Sequence, residues 1–179
     1  MRTNKLIIYR MSLRIVQSVG KALRTKRGMK TPNKCFLMQF DGNAKPNPGN
    51  ISCGVVFFSP ETNIPREELY EVGYYEKGKM NNNESECIAF IKGLEFALEH
   101  DMYDLAIEGD SQFAISMLNS KVPPKGPYKE YFEKIQLYGD IFDNITAKHI
   151  PRSENNYADS VARKAYDFRK NFFTEFIKN

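Results

Sequence analysis

The chain contains no tryptophan, two histidines and three cysteines among its 179 residues. The cysteines, Cys35, Cys53 and Cys87, are odd in number and form no C-x-x-C pair, which argues against a disulfide framework and a cysteine-rich zinc site. Such sparing use fits a reducing compartment: cytoplasm, nucleus or an organelle matrix. With only His100 and His149 available, a histidine-rich metal site or a Ser-His-Asp triad has little to draw on. A metal, if used, is therefore expected on carboxylates. No apolar run approaches the ~20 residues that a membrane-crossing helix needs.

Acid is missing from one region altogether. Residues 1–34 carry ten Lys and Arg and no Asp or Glu, whereas the rest of the chain holds 16 basic and 22 acidic side chains. The net charge of +4 thus conceals a basic leader on an acidic body. At ~100° per residue, Arg10, Arg14, Lys21 and Arg24 share one side of a helix, and Ile8, Met11, Ile15, Val16, Val19 and Leu23 the other. Three readings of this amphipathic leader stay open. It is an organelle transit peptide, a basic arm for a polyanion, or an extension without a role.

The body, residues 35–170, reads as one mixed α/β domain, followed by a short tail at 171–179. Phe36 to Asp41 forms an apolar strand, closed by the Pro/Gly/Asn loop at 42–49. Ile51 to Ser59 and Glu67 to Tyr75 continue it as an antiparallel meander. Asn81-Asn82-Asn83 caps a helix running to Glu99. Leu105-Ala106-Ile107 is a fourth strand, followed at once by Asp110-Ser111 and a short helix. Tyr128 to Phe142 is a helix, Ile145 to Ile150 a fifth strand, and Asn155 to about Arg169 a last helix. The expected order is βββαβααβα, a five-stranded mixed sheet with flanking helices.

Four carboxylates fall near element ends in this scheme: Asp41, Glu86, Asp110 and Asp159. Taken singly, each is most simply a solvated or turn residue. Brought together without a cation they would repel, and a divalent ion with a preference for oxygen ligands resolves that repulsion.

The words around these acids occur in a fixed order: Asp41-Gly42 with Asn47-Pro48-Gly49, Asn82-Asn83-Glu84-Ser85-Glu86, Glu108-Gly109-Asp110-Ser111, and Arg152-Ser153-Glu154-Asn155-Asn156-Tyr157-Ala158-Asp159. This set resembles the ribonuclease H type 1 family over about residues 35–170. Departures lie at Asn81, Ser85 and Cys87, none of them a carboxylate. The short 120–127 segment resembles the compact branch, which lacks a basic protrusion.

The resemblance implies a ribonuclease H-like fold and endonucleolytic hydrolysis of the RNA strand of RNA–DNA hybrids, leaving 5′-phosphate and 3′-hydroxyl ends. It implies two Mg²⁺ ions, with Mn²⁺ an alternative, held by Asp41, Glu86, Asp110 and Asp159. Asn47, Asn82 and Asn83 would meet the hybrid in its groove, and Lys79 a DNA-strand phosphate. For the two asparagines of the helix start, capping is an equally simple role. Arg152 would stand in for the loop histidine of other members; its plain alternative is a surface charge paired to Glu154. His149 fits a structural place in its strand. A monomer is expected, with double-stranded RNA left open as a further substrate. The rival class is a non-catalytic hybrid- or duplex-binding module, which usually loses carboxylates that all survive here. A 3′–5′ exonuclease of the same fold is disfavoured by Asn43, which stands where that group needs a glutamate.

Overall fold

A computed structural model describes residues 35–60 and 67–176. The basic leader at 1–34, with its three readings, lies outside the described residues, as does most of the expected turn at 60–65.

Strands β1 (Phe36–Lys45), β2 (Gly49–Phe58) and β3 (Glu68–Met80) form the antiparallel meander. Helix α1 (Asn82–Glu99) leads to β4 (Asp104–Gly109), then α2 (Gln112–Asn119), α3 (Lys129–Gly139) and β5 (Asn144–His149). A single 3₁₀ turn (Arg152–Glu154) precedes α4 (Asn156–Phe168), and β6 (Phe172–Glu175) ends the described chain. The sheet runs β5-β4-β1-β2-β3-β6, with β4 parallel to both β1 and β5 and the remaining pairs antiparallel. No described helix is long and apolar enough to cross a membrane.

Three sequence expectations change, the simplest being that β3 runs on to Met80 rather than ending at Tyr75. The sheet has six strands rather than five, because the segment expected to be a tail supplies β6, which pairs with β3 from Tyr70↔Glu175 to Gly73↔Phe172. Phe172 lends its ring to the β2–α4 core, so burial draws this segment into the sheet. Strand β1 does not close at Asp41 but runs on to Lys45. The Gly42–Lys45 stretch, expected as loop, pairs with β2 from Gly42↔Cys53 to Lys45↔Asn50. The hairpin partner overrides the local turn signals there.

Both faces of the central sheet are covered, which explains the near-continuous apolar run in β2. Alternate β2 residues face opposite layers. A side chain at Gly54 would strike the backbone of Ala158 and Ala162 in α4, and Val56, Phe58 and Val161 form the core on that side. On the other side, Phe40 of β1 stacks on Phe90 of α1 with centroids 4.8 Å apart. Helix α1 begins with a capping box: Asn81 accepts from the Glu84 N–H at 3.0 Å and the Glu84 carboxylate accepts from the Asn81 N–H at 2.8 Å. The link from α2 to α3 is short and carries no inserted helix.

Candidate active site

The parallel ladder between β1 and β4 ends at Gln39↔Glu108, while β1 continues along β2. Beyond Gln39, the β4-facing edge of β1 is therefore open. Asp41 lies just past that point, and Asp110 follows the last residue of β4. Helix α1 brings Glu86 in from the face on which Phe90 stacks against Phe40. Its approach depends on Gly42, where a Cβ would lie 2.3 Å from the Ser85 carbonyl carbon and 2.4 Å from the Glu86 nitrogen. Only glycine lets backbone meet backbone at this distance.

As a result Asp41, Glu86 and Asp110 each offer a carboxylate oxygen within 4.8 Å of the others. Asp41 is 3% exposed. Its carboxyl is pushed up to about 7 by burial first, then by the charges of Asp110 and Asp159, with Arg152 and the Asn43 amide opposing. The Asn43 side chain donates to it at 2.6 Å. Glu86 is pushed well above the usual carboxylate range by burial, Asp41 and Asp110, against a bond from the Gly42 N–H and the charge of Arg152. Its Oε2 is buried with no hydrogen-bond partner among the described residues. An orphaned carboxylate oxygen beside two further acids is what a hard cation would satisfy, and this all-oxygen donor set fits a divalent ion such as Mg²⁺ or Mn²⁺.

Asp159 behaves differently. It sits in the first turn of α4 and is paired with Arg163 one turn on and with Arg152, whose Nη2 lies 3.4 Å from Oδ1. It reaches the cluster through its charge on Asp41 rather than by joining the close group. Arg152 thus pairs with Asp159 in place of the expected alternative, Glu154. His149 is the exposed last residue of β5, its Nε2 3.2 Å from the Asp110 carbonyl oxygen.

The four expected substrate residues share one edge. Asn47 is exposed in the β1–β2 turn, Lys79 is exposed near the end of β3, and Asn82 and Asn83 open α1. Pairing of Gly49 with Met80 ties the turn to β3. The Asn82 Oδ1 accepts from the Ala44 N–H at 3.0 Å, tying α1 to β1. Asn81, not Asn82 or Asn83, is the helix cap, so Asn83 is left exposed beside the site.

Three supporting residues were not foreseen. Asn155 is 1% exposed, and its amide donates to the Phe40 carbonyl and to Asp110 Oδ1, both at 2.8 Å. It thereby fills the open edge of β1 and fixes Asp110 against it. Asn155 stands at the N-cap position of α4 yet makes no side-chain cap bond: its Nδ2 is turned to this bridge, and its buried Oδ1, the atom that would cap, has no partner among the described residues. Gln39 is also 1% exposed and binds Glu108 at 3.1 Å and the Glu154 carbonyl at 3.2 Å, seating the 3₁₀ turn that carries Arg152. The third is Arg163. Asn155 and Gln39 belong to common polar types with no pattern of their own, so only the fold reveals them, whereas Arg163 stands four residues after Asp159 on one helix, a spacing that could have been read.

Comparison with known proteins agrees with this geometry. Residues 39–165 match the family model described as "Reverse transcriptase-like". The chain is 32% identical to ribonuclease HI of Halobacterium salinarum over 131 residues, 72% of this chain and 62% of that protein. It therefore spans less than two thirds of that relative. The crystal structure of RNase H1 from the same halophilic archaeon superposes with a TM-score of 0.67 at 28% identity, covering 74% of this chain and 98% of that one. LC11-RNase H1, solved in complex with an RNA/DNA hybrid, gives a TM-score of 0.64 at 28% identity, covering 75% and 98%. With residues 39–165 matching its model, the chain belongs to the reverse transcriptase-like family, and it is similar in sequence and topology to type 1 ribonucleases H.

Proposed function

We propose that this protein is a metal-dependent endoribonuclease that cuts the RNA strand of RNA–DNA hybrids and leaves 5′-phosphate and 3′-hydroxyl ends. One observation carries the reading: Asp41, Glu86 and Asp110 each offer a carboxylate oxygen within 4.8 Å of the others where the β1–β4 ladder ends, with Glu86 Oε2 unsatisfied among the described residues. Its relatives support the substrate, one of them being a ribonuclease HI and another an RNase H1 bound to an RNA/DNA hybrid.

Asp41, Glu86 and Asp110 would hold one divalent ion, and Asp41 with Asp159 a second. Two such ions supply activation of the attacking water and stabilisation of the departing 3′ oxygen. The protein's own part is orientation. Asn155 aims Asp110, Gly42 admits Glu86, and Asn43 steadies one oxygen of Asp41. Asn47, Asn82 and Asn83 line the adjacent edge with amides able to donate and accept, and Lys79 adds positive charge there. Amides at that edge suit the shallow minor groove of a hybrid, where the 2′-hydroxyl distinguishes RNA from DNA.

Cleavage of end-labelled RNA·DNA, RNA·RNA and DNA·DNA duplexes in Mg²⁺, Mn²⁺ and EDTA tests the reading. Internal cuts in the RNA of the hybrid, lost in EDTA and in Asp41→Asn, are expected. Tight hybrid binding with no cleavage in either metal would establish the non-catalytic module instead.

A further inference from the structure

Asp159 enters the site with its carboxylate already engaged. Arg163 holds Oδ2 from one turn along α4, and Arg152 reaches Oδ1 at 3.4 Å from the 3₁₀ turn. The Arg163 contact is built into the helix: residues four apart lie on one face, so the guanidinium meets this carboxylate whatever else the site contains. An arginine fork also matches carboxylate geometry better than a point charge does. Asp41, Glu86 and Asp110, by contrast, lie close together with an orphaned oxygen among them. A first cation meets three acids, whereas a second must take Asp159 from a resident guanidinium.

We propose that Arg163 is a positioning residue that competes with the second divalent ion for Asp159, and so sets the ion concentration at which the centre fills. The proposal rests on the two-ion reading above. Arg163 contributes little else, since its side chain is 63% exposed and exposed pairs add little to stability. Its neighbour Lys164 is a ready control. It carries the same charge on the same helix but pairs with Glu71 of β3 at 3.1 Å.

The test is Mn²⁺ binding to the full chain by calorimetry at low salt, for the wild type, Arg163→Gln, Arg163→Lys, Lys164→Gln, Asp159→Asn and Asp41→Asn. Two binding steps are expected in the wild type. Arg163→Gln should tighten the weaker step about fivefold and leave the stronger one unmoved. Arg163→Lys, which keeps charge but loses the fork, should fall between. Lys164→Gln should match the wild type, and Asp159→Asn should lose the weaker step. In cleavage assays, the Mg²⁺ concentration for half-maximal rate should fall in Arg163→Gln with KM for the hybrid unchanged, a split that a purely structural role would not produce. An unmoved weaker step in Arg163→Gln overturns the proposal, as does equal tightening in Lys164→Gln, which would indicate a general field effect. Wild-type protein that binds no ion, or binding that survives Asp41→Asn intact, overturns the two-ion reading itself.

Discussion

The two ends of the acidic site are built on opposite principles. Asp41 is buried and Glu86 largely so, on a strand and a helix in direct backbone contact, and burial with mutual repulsion outweighs the opposing charge of Arg152 and holds both carboxyl groups well above their usual range. Asp159 lies at the rim, flanked by two exposed arginines. The inner end stores repulsion that a cation relieves. At the outer end the charge is already balanced, and a cation there must displace something. One site can thus hold a firm position and an adjustable one, a difference set by burial and partners rather than by residue type.

The largest effect should come from Asp41→Asn, which removes the carboxylate shared by both ends. Hybrid cleavage should fall by about 10³-fold or more, the scale of losing several kcal/mol of metal-assisted stabilisation. Loss comparable to that of Asp159→Asn would erase the distinction drawn here. Next, Gly42→Ala should cost about 3 kcal/mol, read as a lower denaturation midpoint, because the new methyl meets the backbone of Ser85 and Glu86. Activity should fall further than stability, since Glu86 moves with that backbone.

A third effect concerns pH without metal. The Asp41 carboxyl is raised to about 7 in the fold from an unfolded value near ~4, so the folded state binds the extra proton between those limits. The stability linked to that proton is fully present below pH ~4 and lost as pH rises through about 7. In EDTA, therefore, the melting temperature should drop between pH 5 and pH 8 by the equivalent of about 2 kcal/mol, and Asp41→Asn should flatten the slope. Added Mg²⁺ should stabilise more at pH 8 than at pH 5. A melting temperature that rises over this range in EDTA would contradict the buried, unbalanced inner end.

Asp159→Asn should be milder, costing about tenfold to a hundredfold in cleavage with hybrid affinity nearly unchanged in a gel-shift titration. The smallest change is expected from Lys164→Ala on the same helix. Breaking its pair with Glu71 should shift stability by only about 0.5 kcal/mol and leave cleavage as it was.

Much of this architecture could be anticipated from order and period. The apolar run in β2, the Asn81 cap with Glu84 three residues on, and the Asp110-Ser111 junction each declare their place locally. What escaped depends on partners distant in sequence. Lys45 is strand rather than loop because Asn50 lies opposite, and Phe172 joins the sheet because β3 offers an edge and α4 a core. Within the site, the four acids were found from their surrounding words. Of the two arginines that set Asp159 apart, Arg163 follows it at the i,i+4 spacing of the expected helix, whereas Arg152, although in the same word, shows its choice of Asp159 over Glu154 only once the 3₁₀ turn has placed it. Asn155 was expected only as the first residue of the last helix, because the Phe40 carbonyl and Asp110 that it bridges lie far from it in sequence.

That asparagine has a further consequence. Its amide joins the strand that holds the first acid to the residue that follows β4, across 115 and 45 positions of sequence. A polypeptide emerging from the ribosome therefore holds Asp41, Glu86 and Asp110 long before it holds the tie that aligns them. Until Asn155 has left the exit tunnel and docked, the growing chain has acids but no aligned centre. In the proposed enzyme, the docking of the last helix would thus be the step that completes the alignment of Asp110 beside the strand of Asp41.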